Sequence, residues 1–134
     1  MFIRILATVF IVALTACANV HSSETTPQQH FTTLRSDASI KHTLDSKQDE
    51  MIAIYHEVRK NDPQLAVKMF IHIIITPDGE VDSVYPTRKE ITGGSLDSVD
   101  EFEEKLMAYL AELKFEKLSA PQRGYNYSIQ FAGY

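Results

Sequence analysis

The chain is poor in the features that would classify it at once. Its 134 residues include a single cysteine, so no intrachain disulfide can form and the fold must depend on its hydrophobic core. The N-terminal apolar stretch, Ile5–Ala16, has about 12 residues, against the roughly 20 that a membrane-spanning helix needs. Lysine and arginine are not clustered, and the net charge is −5. We therefore expect neither nucleic-acid binding nor a polybasic membrane surface.

Motifs of catalysis and metal binding are also lacking. The sequence has no Gly-x-Ser-x-Gly segment, and its five histidines include no His-x-x-x-His pair. Glu101, Glu103 and Glu104 are close together, but no pattern predicts a pocket that would desolvate one of them for acid–base chemistry. Such a cluster is typical of a solvated helix face. We expect no enzyme, no bound metal and no cofactor.

The one cysteine, Cys17, ends a segment with the order of a secretory signal. Arg4 precedes the apolar run, and Leu14-Thr15-Ala16 lies directly before the cysteine. This arrangement resembles a bacterial lipoprotein signal, which implies cleavage after residues 1–16 and acylation of Cys17, with palmitate among the chains. Anchoring through the lipid follows. Because Ala18 rather than Asp comes next, the resemblance implies the outer membrane, with the protein facing the periplasm. The alternative is a free cysteine in the core.

Residues 17–44 are predicted to form a flexible tether, because Ser, Thr and Gln are frequent there without a helical or strand period. About 28 flexible residues have a root-mean-square span of about 30 Å, so the tether holds the domain off the membrane. Phe31, Leu34 and Ile40 are the residues of this segment that can dock on the domain. The folded domain is predicted to be 45–134.

Within that domain the pattern predicts helix, strand, strand, helix and strand. Apolar residues spaced by three and four predict helices over 46–61 and 99–113. Alternating apolar residues predict strands over 66–76, 80–86 and 125–132.

Several local signals define the ends of these elements. Asp45 or Ser46 is expected to cap the first helix, and a capping box over Ser98–Glu101 to start the second. Pro77-Asp78-Gly79 fits a hairpin turn with a G1 bulge, and Val81 and Val84, three apart, predict a second bulge near Asp82-Ser83. Residues 87–95 are predicted to be a loop.

The order α-β-β-α-β predicts an α+β fold, a three-stranded antiparallel sheet with two helices packed on one face. The first strand is the longest and most apolar, so we expect it in the middle. The last strand then lies at an edge.

Three segments carry a resemblance to a known family. Ile54-Tyr55, Asn61–Leu65 and the strand ending in Ile75–Val81 resemble the AgmX/PglI C-terminal domain, which is similar to the TonB C-terminal fold. The resemblance covers about Gln48–Phe131. The family usually has Trp-x-Phe-Pro at the end of its helix, whereas this chain has Leu113–Glu116. It implies a TonB-like interaction domain without energy transduction, and TonB-like domains add a partner's strand at a sheet edge.

Two sets of residues are candidates for partner binding. Asn126, Ser128 and Gln130 form the exposed row of the last strand, and Phe70, His72 and Ile74 lie on the second face of the first. The leading interpretation is an envelope lipoprotein that holds an envelope protein by strand addition. The alternative is a periplasmic lipoprotein that binds a small ligand against Phe70, His72 and Ile74. An exposed edge can also pair with itself, so a monomer or a weak dimer is expected.

Overall fold

Three helices and three strands follow one another in the part of the chain that the structure, a computed structural model, describes: residues 35–118 and 121–132. The strands form one antiparallel sheet in the order β2-β1-β3. The predicted α+β fold is confirmed, with β1 in the centre and β3 at an edge. One helix, α1, is additional. The elements are α1 (Asp37–Asp45), α2 (Gln48–Arg59), β1 (Ala66–Ile75), β2 (Val81–Gly93), α3 (Leu96–Ala111) and β3 (Arg123–Phe131).

The helices cover one face of the sheet. Alternate residues of β1 are at most 1% exposed, whereas the residues between them are only half-buried. The buried set joins the apolar sides of all three helices in one core. Burial of a large aliphatic side chain contributes about 1.5–3 kcal/mol, so this face supplies most of the stability. Its β1 members are Val67, Met69, Ile71, Ile73 and Ile75.

Helix α1 occupies the end of the segment predicted to be a tether. Ser36 caps it by accepting a hydrogen bond from the Ser39 N–H. Ile40 and Leu44, one turn apart, are fully buried, which confirms the expected docking of Ile40. Two buried residues among polar neighbours make too weak a period to be recognised in the sequence. Phe31, Leu34, Cys17 and the predicted signal lie outside the described residues.

The predicted cap of the next helix is wrong. The N-cap of α2 is Lys47, which makes no capping bond through its side chain. Asp45 instead accepts from Lys41 (2.5 Å), and the Ser46 hydroxyl donates to the Thr43 carbonyl oxygen (2.7 Å). Both side chains are thus used in the last turn of α1.

The β1–β2 hairpin has the predicted turn. Gly79 has φ +84°, and a Cβ on it would lie 2.2 Å from the Phe115 carbonyl oxygen, so glycine is required there. The predicted bulge is also present, because Ile74 pairs with Ser83 and Ile75 with Val81, which leaves Asp82 as the extra residue.

Strand β2 is longer than predicted. It continues through most of the expected loop to Gly93. Two further register shifts leave Thr87 and Thr92 as extra residues. Each extra residue breaks the two-residue alternation, which is why the sequence pattern did not reveal this part of the strand.

Helix α3 starts three residues before its predicted first residue. Ser95 caps it and accepts from the Ser98 N–H, so the capping box predicted at Ser98–Glu101 is wrong. Lys89 of β2 lies 2.5 Å from a Glu103 carboxylate oxygen. This bond raises the pKa of Lys89 against the opposing effect of burial, and it ties α3 to β2.

Candidate partner-binding edge

The two predicted sets of site residues lie on one surface. Antiparallel pairing of β1 with β3 places Phe70 opposite Ser128 and His72 opposite Asn126. In both strands these residues alternate with the buried ones, so their side chains are on the sheet face that carries no helix. Gln130 is opposite Lys68, and Ile74 is opposite Gly124. The structure thus brings all six residues onto this open face.

The centre of the open face is held by His72. Its Nδ1 lies 2.7 Å from Asn126 Oδ1, and its ring centroid is 5.4 Å from that of Tyr85. A Cβ at Gly124 would lie 2.7 Å from His72 Nε2, so the absence of a side chain at Gly124 makes room for the ring. These contacts fix His72 between two edge strands.

Phe70 is covered by cations. The Arg88 guanidinium lies 4.0 Å from the Phe70 ring centroid, and Lys68 Nζ lies 5.0 Å from it. Phe70 and Ser128 also line a shallow depression of about 460 Å³, which neither His72 nor Ile74 lines. The three residues therefore do not form one wall of a common cavity.

The backbone of β1 shows which way the groups of β3 point. The Thr76 N–H donates to the Glu80 carbonyl oxygen, and the Phe70 carbonyl oxygen accepts from Thr87 Oγ1 (3.1 Å). Both bonds run towards β2. In a central strand, successive residues direct their N–H and C=O groups to opposite neighbours. It follows that Phe70 and His72 turn their backbone groups to β2 and do not bond to β3.

The β3 residues opposite them are therefore in non-hydrogen-bonded pairs. Asn126, Ser128 and Gln130 direct their backbone N–H and C=O groups away from β1, along the free edge of the sheet. Within residues 35–118 and 121–132, no backbone hydrogen bond connects this edge to another segment. The residues predicted from side-chain exposure thus also carry the outward-facing backbone groups, which sequence alone did not indicate.

The two edges of the sheet differ in protection. Natural edge strands are commonly blunted by charges, proline or bulges. β2 has all three: Pro86, the charged run Arg88–Glu90, and three register shifts. β3 has one charged residue, Arg123, no proline, and a continuous register with β1. Only the β3 edge is regular enough to accept another strand.

A groove runs between the free edge of β3 and helices α1 and α2. Tyr127, a predicted core residue, is 7% exposed, and its hydroxyl lies 3.4 Å from Asp45 Oδ1. Burial, with the Asp45 carboxylate as a second cause, raises the pKa of Tyr127 to about 12. Sequence reasoning missed the helical wall because its members lie on polar helix sides: Lys41, Asp45, Gln48 and His56.

Metal and membrane features were searched over the same described ranges. No group of three or more His, Cys, Asp or Glu side chains there has the geometry to hold a metal ion. None of the described helices combines the length and apolar character needed to cross a membrane.

Comparison with known proteins adds no relative. The chain matches no protein-family model, no curated protein and no solved structure.

Proposed function

We propose that this protein is a lipid-anchored envelope lipoprotein whose domain holds a partner protein by strand addition at β3. The observation that carries the proposal is the free edge of β3, where the outward N–H and C=O groups of Asn126, Ser128 and Gln130 meet no described backbone partner. Strand addition uses such groups for affinity.

The anchor in this proposal is Cys17, acylated after removal of 1–16. The support is the order of Arg4, the apolar run and Leu14–Ala16, which resembles a lipoprotein signal. An outer-membrane position facing the periplasm is proposed from Ala18 on the same basis. A partner in the envelope follows from this location.

The TonB-like resemblance is part of the same proposal. An α+β domain with its last strand at a free edge agrees with the fold that the resemblance implies. The chain would then be an interaction domain without energy transduction. The small-ligand alternative has less support, because Phe70 is covered by Arg88; a thermal-stabilisation screen with ligands tests it.

The experiment removes one outward N–H from the edge. Ser128→Pro deletes a donor that does not bond to β1, and its ring obstructs an incoming strand. We expect affinity capture from membrane extracts to recover an envelope partner with the wild type and at least about tenfold weaker binding with Ser128→Pro, equivalent to ~1.4 kcal/mol. Helix content should not change.

The matched control is Ser128→Ala, which removes the same hydroxyl but keeps the backbone donor. Its affinity should stay within about twofold of the wild type. Unchanged binding of the captured partner to Ser128→Pro would contradict strand addition. A Cys17→Ser variant that remains in the membrane fraction would contradict the anchor.

A further inference from the structure

Three depressions lie end to end beside β3 and form one groove. The first, of about 430 Å³, shares Gln48 and Ile129 with the second, of about 230 Å³. The second shares His56 with the third, of about 240 Å³. α2 therefore follows β3 in the same direction, and the groove runs from the end of α1 to the last turn of α2.

The chemistry of this groove changes along its length. At the first end, Lys41 and Asp45 form an ion pair. In the middle, Ile52 of α2 faces Ile129 and Phe131 of β3 across the second depression, which is therefore apolar. A strand added to β3 directs alternate side chains towards the helices, so one of them would enter this apolar section.

The far end of the groove is cationic. His56, Arg59 and Lys60 line the third depression together with Pro63. Arg59 Nε donates to the Pro63 carbonyl oxygen (3.2 Å), and no described carboxylate lies within ion-pair distance of Arg59 or Lys60.

The acidic residues nearest in sequence to this corner are already engaged. Glu57 accepts from Lys105 (2.8 Å). Asp62 accepts from the backbone N–H groups of Ser95 and Gln64. Within a chain of net charge −5, the corner formed by Arg59 and Lys60 is therefore a local positive site beside an apolar groove.

We propose that the segment bound at β3 is an extended strand with one apolar side chain in the Ile52–Ile129–Phe131 section and an acidic group at Arg59 and Lys60. This rests on the proposed strand addition and specifies its partner. From Ile52 to Arg59 the helix rises ~10 Å at ~1.5 Å per residue, which about three strand residues span. Because only even spacings place two side chains on the same face, the acidic residue stands two or four positions from the apolar one.

The test uses three labelled nonapeptides with the same centre, Thr-Ile-Thr-Ile-Thr, flanked on both sides by Glu-Glu, Lys-Lys or Gln-Gln. Each is titrated by fluorescence anisotropy into the full chain in non-ionic detergent. We expect the Glu-flanked peptide to bind at least about fivefold more tightly than the Lys-flanked one at low salt. The acidic net charge of the protein alone would produce the opposite order.

Two double variants locate the preference. Arg59→Glu with Lys60→Glu should abolish or reverse it. Lys114→Glu with Lys117→Glu makes the same change in net charge at the hairpin end, where both lysines are exposed, and should preserve the preference.

Each other outcome has a defined meaning. Equal affinities that are lost in Ser128→Pro would overturn the acidic preference but leave strand addition in place. A preference that survives Ser128→Pro would contradict strand addition. Absence of binding by all three peptides, or a tighter Lys-flanked complex, would overturn the inference.

Discussion

At the residue scale, several single side chains do work that only the three-dimensional structure reveals. The buried Tyr55 hydroxyl donates to the Leu65 carbonyl oxygen, which would otherwise be a buried acceptor without a partner; leaving such a group unsatisfied costs about 1–3 kcal/mol. Tyr127 is similar on the other side of the groove, with its hydroxyl directed at Asp45. Both tyrosines were predicted from spacing to be core residues, but their polar partners are distant in sequence.

Tyr127 leads to a prediction about pH. Its pKa is about 12 in the folded chain and 10.0 in the absence of structure. Between these values the unfolded chain has lost the proton that the folded chain keeps, so stability must fall as the pH rises through this window and is fully present below pH 10. We expect urea midpoints from pH 9 to pH 11 to fall less steeply in Tyr127→Phe than in the wild type. Equal slopes would contradict the burial of a protonated Tyr127.

At the element scale, the sequence predicted the elements that have one regular buried face. β1 and β3 alternate cleanly, and the apolar stripes of α2 and α3 contact the core, so their positions were predicted within a few residues. β2 and α1 were not. In β2, three extra residues interrupt the alternation, and in α1 only Ile40 and Leu44 are buried.

The same limit applies to the candidate site. Alternation was sufficient to select Asn126, Ser128 and Gln130 on the outer side of β3. The outward direction of their backbone groups depends on the register with β1 and on β1 pairing with β2 on its other side. The helical wall depends on the packing of α1, which had no recognisable signal.

Helix α1 can be tested as an element. Leu44 is fully buried, and removal of a buried leucine side chain beyond Cβ costs about 2–5 kcal/mol. For a domain of about this size, Leu44→Ala should lower the melting temperature by at least about 8 °C. His42→Ala, on the exposed side of the same helix, should change stability by less than about 0.5 kcal/mol. A Leu44→Ala effect as small as that of the control would mean that α1 belongs to the tether.

At the scale of the whole molecule, the sheet has three kinds of surface with different uses. One face is buried under the helices and stabilises the domain. The open face is tied together across strands by His72 with Asn126 and by Phe70 with Arg88. The edge of β2 is blunted, and the edge of β3 is regular and flanked by a groove. A partner strand therefore has one suitable place to add.

The most direct test of this account is backbone amide hydrogen exchange, measured residue by residue on the full chain with and without its captured partner. We predict that the amides of Asn126, Ser128 and Gln130 exchange rapidly in the free protein and become protected in the complex. The amides of Tyr127 and Ile129, which face β1, should already be protected when the protein is free. A complex that leaves Asn126, Ser128 and Gln130 unprotected, or protects β2 instead, would contradict strand addition at β3.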